Sequence, residues 1–440
     1  MMGGNVLDAA QASWILFGTF FTLLFLRVPV AVALGVACLP VVMVEPRLGA
    51  MTLMQETFNA YNSFILLAVP FFLLTANLMN IGGITRRLMR LSRALVGHFP
   101  GALAQVNVVL SFFFAGISGS STADAASQSK IFIPAMEKEG YSTSFAISIT
   151  AVSSVLAVII PPSILMIVWG GVLTVSIGAL FLAGIVPGLL IAVAQMGTVH
   201  AYSKLRRYPT YPRAGLGEIG AAAFVAVPAL ATPALIIGGK IFGWFTATES
   251  ACIAVLYASF LALLVYREMD LKGLYTALGE TGRLAAVTLF CVGTASCFGW
   301  LLAYYKIPDA ILSGVAAWGM GPIMTGFFVA AVFLVVGCFL DAIPSIIIVG
   351  VILQPIALGA GIDPVHFAMI GIVSLAFGLV TPPYGLCLLI ACSVGRMRLG
   401  QVIRDILVML LPMFCVLALL IVFPKIALFL PQLISPEFLN

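Results

Sequence analysis

Charge is what this sequence has least of. Only 8% of its 440 residues are Asp, Glu, Lys or Arg, while 62% are hydrophobic and the mean hydropathy is +1.17. A water-soluble domain carries about 25% charge and is about half apolar. No soluble core of this size could hide so much apolar surface, so the bilayer must be the solvent. No polar stretch is long enough for a separate soluble domain. Catalytic and metal signatures are scarce too. The eight cysteines lie in apolar segments with no CxxC and no histidine at metal spacing, and read as buried small hydrophobes. Three scattered histidines, His98, His200 and His366, supply neither HExxH nor a nucleophile with its base, which argues against an intramembrane enzyme. The net charge of +5 is spread over loops; it suits anionic lipid headgroups and suggests no nucleic acid. The opening MMGGNVLDAAQ lacks a basic n-region and contains Asp8, so a signal peptide is not expected there.

What is present is a series of continuous apolar runs of about 17 residues or more, the length a spanning helix needs. Alternation is missing from them, which excludes a membrane β-barrel. Sliding the sequence on itself by 221 residues brings out a repeat. Gly116 falls on Gly337, Pro134 on Pro355, Gly140 on Gly361, Ser153 on Ser374, and Pro161-Pro162 on Pro382-Pro383. Matching apolar residues is cheap in such a chain. Matching glycines and prolines is not, because each sets an unusual backbone. The chain therefore reads as two homologous halves, about 1–214 and 215–440.

Crossings in the first half are expected over 12–26, 28–45, 62–82, 143–175 and 179–203. The stretch 101–137 is interrupted by GISGSSTADAASQSK and is too polar at its middle to cross cleanly. It reads as a re-entrant hairpin, matched by a second over about 322–358. Broken helices are expected over 143–175 and 364–395. Five crossings per half make the repeats inverted. With the N-terminus outside, 17 of the 21 Lys and Arg fall inside, and only Arg47, Lys240, Lys306 and Lys425 fall outside. Both termini are thus expected to be periplasmic. The stretch 86–99 reads as an amphipathic helix on the inner leaflet, and 204–213 as a cytoplasmic linker.

Chemistry is expected at the hairpin tips, GISGSS at 116–121 and GCFLDAIPS at 337–345, and at the helix breaks IIPPS and VTPPY. A proline pair removes two backbone donors, and the carbonyls it orphans cost several kcal/mol each, roughly, unless something satisfies them. Bare carbonyls beside hydroxyls suit a desolvated sodium ion. Two symmetric cation sites follow as an expectation. The first uses Gly116, Ser118, Gly119, Ser120, Thr150, Ser153, Ile160 and Pro161. The second uses Gly337, Asp341, Pro344, Ser345, Ser374, Thr381 and Pro382. A plain kink is the alternative reading of each proline pair. Asp124 and Asp341 are the intramembrane carboxylates, and either attract a cation or cap the hairpin tips. Asp124, Lys130, Pro162, Ser163 and Pro383 are the candidates for substrate contact, although Lys130 also reads as snorkelling to headgroups. Thr246 and Glu249 have capping-box spacing.

Several blocks in order then resemble a known family. FAGISGSSTADAA, IPAMEKEGYSTSFA, ITAVSSVLAVIIPPSI, LFLAGIVPGLL, AFGLVTPPYGLCL, FLRVPVAVALG, TATESACIAVLYA and FPKIALFLP are similar to the large membrane subunit of TRAP (tripartite ATP-independent periplasmic) transporters. The resemblance covers nearly the whole chain. It implies an all-α polytopic membrane protein, an inverted repeat with two re-entrant helical hairpins and two broken helices, working as an elevator-type transporter. It implies sodium coupling without ATP and a small organic acid as substrate. It also implies two partners, a small four-helix membrane subunit and a periplasmic substrate-binding protein. Departures from the family pattern are Ala157 and Val158 before IIPP, where glycine is common, and Ser374 and Cys387 where asparagine is common. A stand-alone sodium-coupled dicarboxylate or ion carrier and a passive channel are the competing transport readings.

Overall fold

A computed structural model gives the structure of residues 7–316 and 319–439. The first half runs α1 (Ala9–Phe25), α2 (Val30–Val44), α3 (Ala50–Tyr61), α4 (Ala68–Ile81), α5 (Ile84–Val96), α6 (Ala102–Ser118), α7 (Ser121–Lys138), α8 (Thr143–Ser154), α9 (Leu156–Ile159), α10 (Ile164–Leu173) and α11 (Ile177–Arg206). The second runs α12 (Leu216–Ile241), α13 (Ala247–Phe260), α14 (Leu271–Tyr304), α15 (Ile307–Ala316), α16 (Pro322–Phe339), α17 (Ala342–Ser345), α18 (Val351–Gly359), α19 (Pro364–Gly378), α20 (Leu386–Val394), α21 (Leu399–Val422) and α22 (Lys425–Ile434). Every regular element among the described residues is helical. Among the described residues, seven helices are long and apolar enough to cross a membrane, or up to nine if two bent pairs are each one span.

Helix boundaries repeat at the offset read from the sequence. Shifted by 221, α6 overlays α16, α7 overlays α17 with α18, and α8 starts where α19 starts. One difference between the halves lies before the hairpins. The α3–α4 pair, interrupted at Asn62–Leu67, corresponds to the single helix α14, which runs unbroken for 34 residues.

Contacts between the halves also show that the repeats are inverted. Gly35 meets Thr294 and Glu45 accepts from Tyr305, so α2 and α14 run parallel. Phe64 accepts from Thr248 and Gly82 packs on Ala262, so α4 and α13 run parallel. Tyr61 abuts Gly293 while Asn77 bonds Ala277 and Thr281, so α4 and α14 are antiparallel. Helix α4 is the counterpart of α14, and α2 of α13; each pair of counterparts therefore points in opposite directions. That is the arrangement two halves adopt when related by an axis in the membrane plane.

Helices α1–α4 and α12–α14 form one group and the hairpins, broken helices, α11 and α21 another; α5 packs on both α6 and α12, α15 packs on both α14 and α18, and α4 against α6 and α10, α12 against α6 and α11, and α14 against α17 also join them. Local chemistry sets the helix ends. Asp8 caps α1, Asp363 caps α19 with Pro364 in the first turn, and Thr246 and Glu249 close a reciprocal capping box on α13 as their spacing suggests.

Helix α5 is amphipathic as expected, yet its basic face is largely engaged. Arg86 and Arg87 pair with Glu268, Arg87 stacks on Tyr266 at 3.8 Å and Arg93 on Tyr211 at 4.2 Å, leaving Arg90 exposed. The linker after Arg206 is a fastened strap. Pro209 accepts from Ala102, Tyr211 donates through its main chain to Gly97, and its hydroxyl bonds Glu139. Burial, and then that carboxylate, hold the Tyr211 phenol above its usual range.

Candidate functional site

Hairpin 1 folds because α6 cannot continue past Gly119, which sits at φ +62, a left-handed conformation that costs a side-chain-bearing residue. Ser120 then caps α7, accepting from Ala123. Gly119 is also needed for close approach: a β-carbon there would lie 3.1 Å from the Pro162 carbonyl oxygen. The tip and the first break are pinned together where Ile164 donates its N–H to Gly119 O at 3.3 Å. Gly116 faces Pro233 and the Pro161 carbonyl.

The second half reproduces this joint. Gly385, the counterpart of Ile164, donates to Cys338 O at 3.1 Å. A β-carbon on Gly378 would fall 2.7 Å from the main chain of Gly337, so hairpin 2 and its broken helix meet backbone to backbone. Both proline pairs contain a cis bond. The breaks therefore depart from helix as expected from the sequence, at 160–163 and 379–385. Each hairpin's return leg also crosses to the other half: α7 packs on α20, while α17 packs on α10.

The expected ligands divide into free and engaged groups. Both carboxylate oxygens of Asp124 are buried without a sound hydrogen-bond partner, although the Ser118 hydroxyl lies beside them. Ser121 Oγ and Gln128 Nε2, on the same face of α7, are also buried and unsatisfied, and so is Ser374 Oγ in the second half. Such orphaned polar atoms are rare and call for a ligand, an ion or water.

Thr150 and Ser153 are hydrogen-bonded to a neighbour. Asn107 donates to Thr150 Oγ1 at 2.8 Å and accepts from Ser153 Oγ at 3.0 Å. Asn107 lies more than two turns before Gly116 on α6, so these two hydroxyls are turned away from the tip. Ser163 donates to Val158 O at 2.7 Å and caps α10, so protein satisfies one carbonyl upstream of the prolines. Thr381 bonds Phe377 O, and Ser345 bonds Asp341 O. Asp341 itself caps α17 through Ala342 N–H at 2.8 Å.

The two joints differ in access. Ile160 through Ser163 are all buried with Asp124, whereas Asp341, Pro383 and Tyr384 are exposed. Pro344 is buried and Pro382 half-buried. Lys130 is exposed on α7, while Asp124 on the same helix is buried. Cys387 is fully buried. Asn107, Ser111 and Gln128, which complete the polar lining of hairpin 1, were invisible as site residues in the sequence. Single amides and serines in apolar helices carry no spacing signal; only an intramembrane-polarity argument could have flagged them. A crevice of about 730 Å³ opens elsewhere, between Gly171, Ser176, Lys240, Thr248 and Asp363, away from the tips.

Comparison with known proteins follows from this geometry. Residues 17–426 match the family described as "Tripartite ATP-independent periplasmic transporter, DctM component". The chain is 37% identical over 411 residues to the sialic acid TRAP transporter large permease protein SiaM of Vibrio cholerae, covering 93% of this chain and 96% of that one. It is 37% identical over 377 residues to the C4-dicarboxylate TRAP transporter large permease protein DctM of Pseudomonas aeruginosa, covering 86% and 88%. The isethionate TRAP transporter permease protein DctMQ of Oleidesulfovibrio alaskensis is 34% identical over 94% of this chain, which spans 66% of that protein. The fold resembles the YdaH transporter of Alcanivorax borkumensis, with a TM-score of 0.55 at 15% identity over 85% of this chain and 87% of that one.

Proposed function

The chain belongs to the DctM family of TRAP transporters, and on that premise we propose that it imports a small organic acid as the large permease of a sodium-coupled tripartite system. A small membrane subunit and a periplasmic substrate-binding protein would complete the system. Relatives named for sialic acid, C4-dicarboxylates and isethionate support an acid as the class of solute. The observation that carries sodium coupling is the set of buried oxygens without a partner, Asp124 Oδ1 and Oδ2 on α7 and Ser374 Oγ on α19. A buried carboxylate with no partner is costly, and a monovalent cation with an oxygen shell relieves it. About two ions follow, one per joint. Asp341, Pro383 and Tyr384 would be the accessible edge of the substrate path.

The division into two helix groups supports an elevator: the frame of α1–α4 and α12–α14 stays, and the hairpin-bearing body slides, with α5 lying at the boundary on both α6 and α12. Inner-membrane placement with both termini periplasmic is supported by the concentration of Lys and Arg on one set of loops. Anionic lipid contact would fall to Arg90, because the other α5 arginines have protein partners.

Co-reconstitution tests the proposal. The chain with its small subunit and binding protein should take up labelled acid only when an inward sodium gradient is imposed. Uptake driven equally by potassium would overturn sodium coupling. Equal uptake without the partners would favour the stand-alone carrier.

A further inference from the structure

Helices α2 and α14 come from different halves yet lie side by side in one register. Gly35 meets Thr294, with the distance from an added β-carbon to Cγ2 only 3.1 Å, and at the far end Glu45 accepts from Tyr305 at 3.4 Å. These pairs differ in number by 259 and 260, so one turn beyond Gly35 the same register sets Cys38 opposite Cys297. The two thiols lie within interaction range of one another, both are buried, and Cys38 Sγ donates to Leu34 O at 3.3 Å. A small residue one turn earlier allows the backbones the close approach that a disulfide needs.

We propose that Cys38 and Cys297 are a vicinal thiol pair that a lipid-soluble two-electron oxidant of the disulfide class converts to a disulfide, bracing the first half of the frame to the second. This rests on helix packing alone and is independent of the transported solute. With dithiodipyridine as oxidant, one thiol attacks a reagent sulfur, breaks its S–S bond and expels one thiopyridone. The second thiol attacks the resulting mixed disulfide, forms the Cys38–Cys297 bond and expels the second thiopyridone. The two thiol protons leave on the two thiopyridones.

The test uses the purified full chain, treated with dithiodipyridine, alkylated, digested and analysed by mass spectrometry. Exposed Cys415 should carry a mixed adduct and report that the reagent has reacted. The expected result is a peptide pair linked through Cys38 and Cys297, two thiopyridones released by that pair, and a melting temperature several degrees higher that dithiothreitol reverses. C38S and C297S should each abolish the link. Separate stable adducts on Cys38 and Cys297, or two free thiols after Cys415 has reacted fully, would overturn the proposal. Dibromobimane, which fluoresces when it bridges two thiols, gives a reading on the unaltered protein: no fluorescence attributable to this pair would count equally against it.

Discussion

The side chains that matter at the tips are those left without a partner, and substitutions should separate them from those already used. Asp124→Asn removes a buried charge but keeps the shape. The protein should fold at least as stably, while sodium affinity falls by about 10- to 100-fold, the loss of a charged contact being about 1.5–3 kcal/mol. Sodium dependence of uptake reads this directly; an unchanged half-saturating sodium concentration would remove Asp124 from the site. Ser374 and Ser153 hold equivalent positions in the repeat yet should behave oppositely. Ser374→Ala deletes an orphaned hydroxyl and should leave the melting temperature alone while weakening sodium dependence. Ser153→Ala strands the Asn107 carbonyl and should cost about 1–3 kcal/mol of stability with little effect on coupling. Paired melting and uptake curves for the two variants decide whether the cation sites are as unequal as their hydrogen bonds.

At the scale of the element, function depends on joints between a hairpin tip and a broken helix. Gly119→Ala would place a β-carbon at a left-handed backbone position and 3.1 Å from the Pro162 carbonyl. The conformational cost alone is about 1–2 kcal/mol, so a lower melting temperature and impaired uptake are expected. Replacing Pro382 and Pro383 by alanine should let α19 run on into α20, measurable as added helix by circular dichroism, with uptake lost. Full uptake would mean that the break is dispensable. The proline pairs announced both breaks and Gly119 the first tip, because these residues act through their own backbone; the second tip turns at Leu340 with Asp341 as the cap. The engagement of Thr150 and Ser153 by Asn107 was hidden, because it depends on how α6 packs on α8. The same holds for Ser163, whose hydroxyl replaces a hydrogen bond that the first proline pair removes.

Over the whole molecule, two inverted halves interlock. Cysteine labelling in oriented vesicles should place residues near Asp8 and Glu437 on the same, outer face, and the loop around Arg207 on the inner face. Labels on opposite faces for the two ends would invalidate the five-crossing count. Movement of one helix group against the other predicts that a cross-link between α4 and α6 stops uptake, whereas one between α2 and α14 does not. Uptake that survives the first cross-link would exclude sliding at that boundary.

Composition, the 221-residue repeat and the positions of proline and glycine were enough to establish a helical membrane chain of two halves with hairpins and broken helices near 101–137, 143–175, 322–358 and 364–395. Those features are local: apolar length, backbone restriction and charge near a helix end act wherever the chain goes. Tertiary structure alone decided which polar groups are free. Asp124 and Ser374 remain unpaired, while Thr150, Ser153 and Ser163 are hydrogen-bonded to neighbours, and Cys38 comes to face Cys297 across two halves. A hydrogen bond or a thiol contact needs a partner within a few ångströms, and in this chain the partners lie up to 260 positions apart.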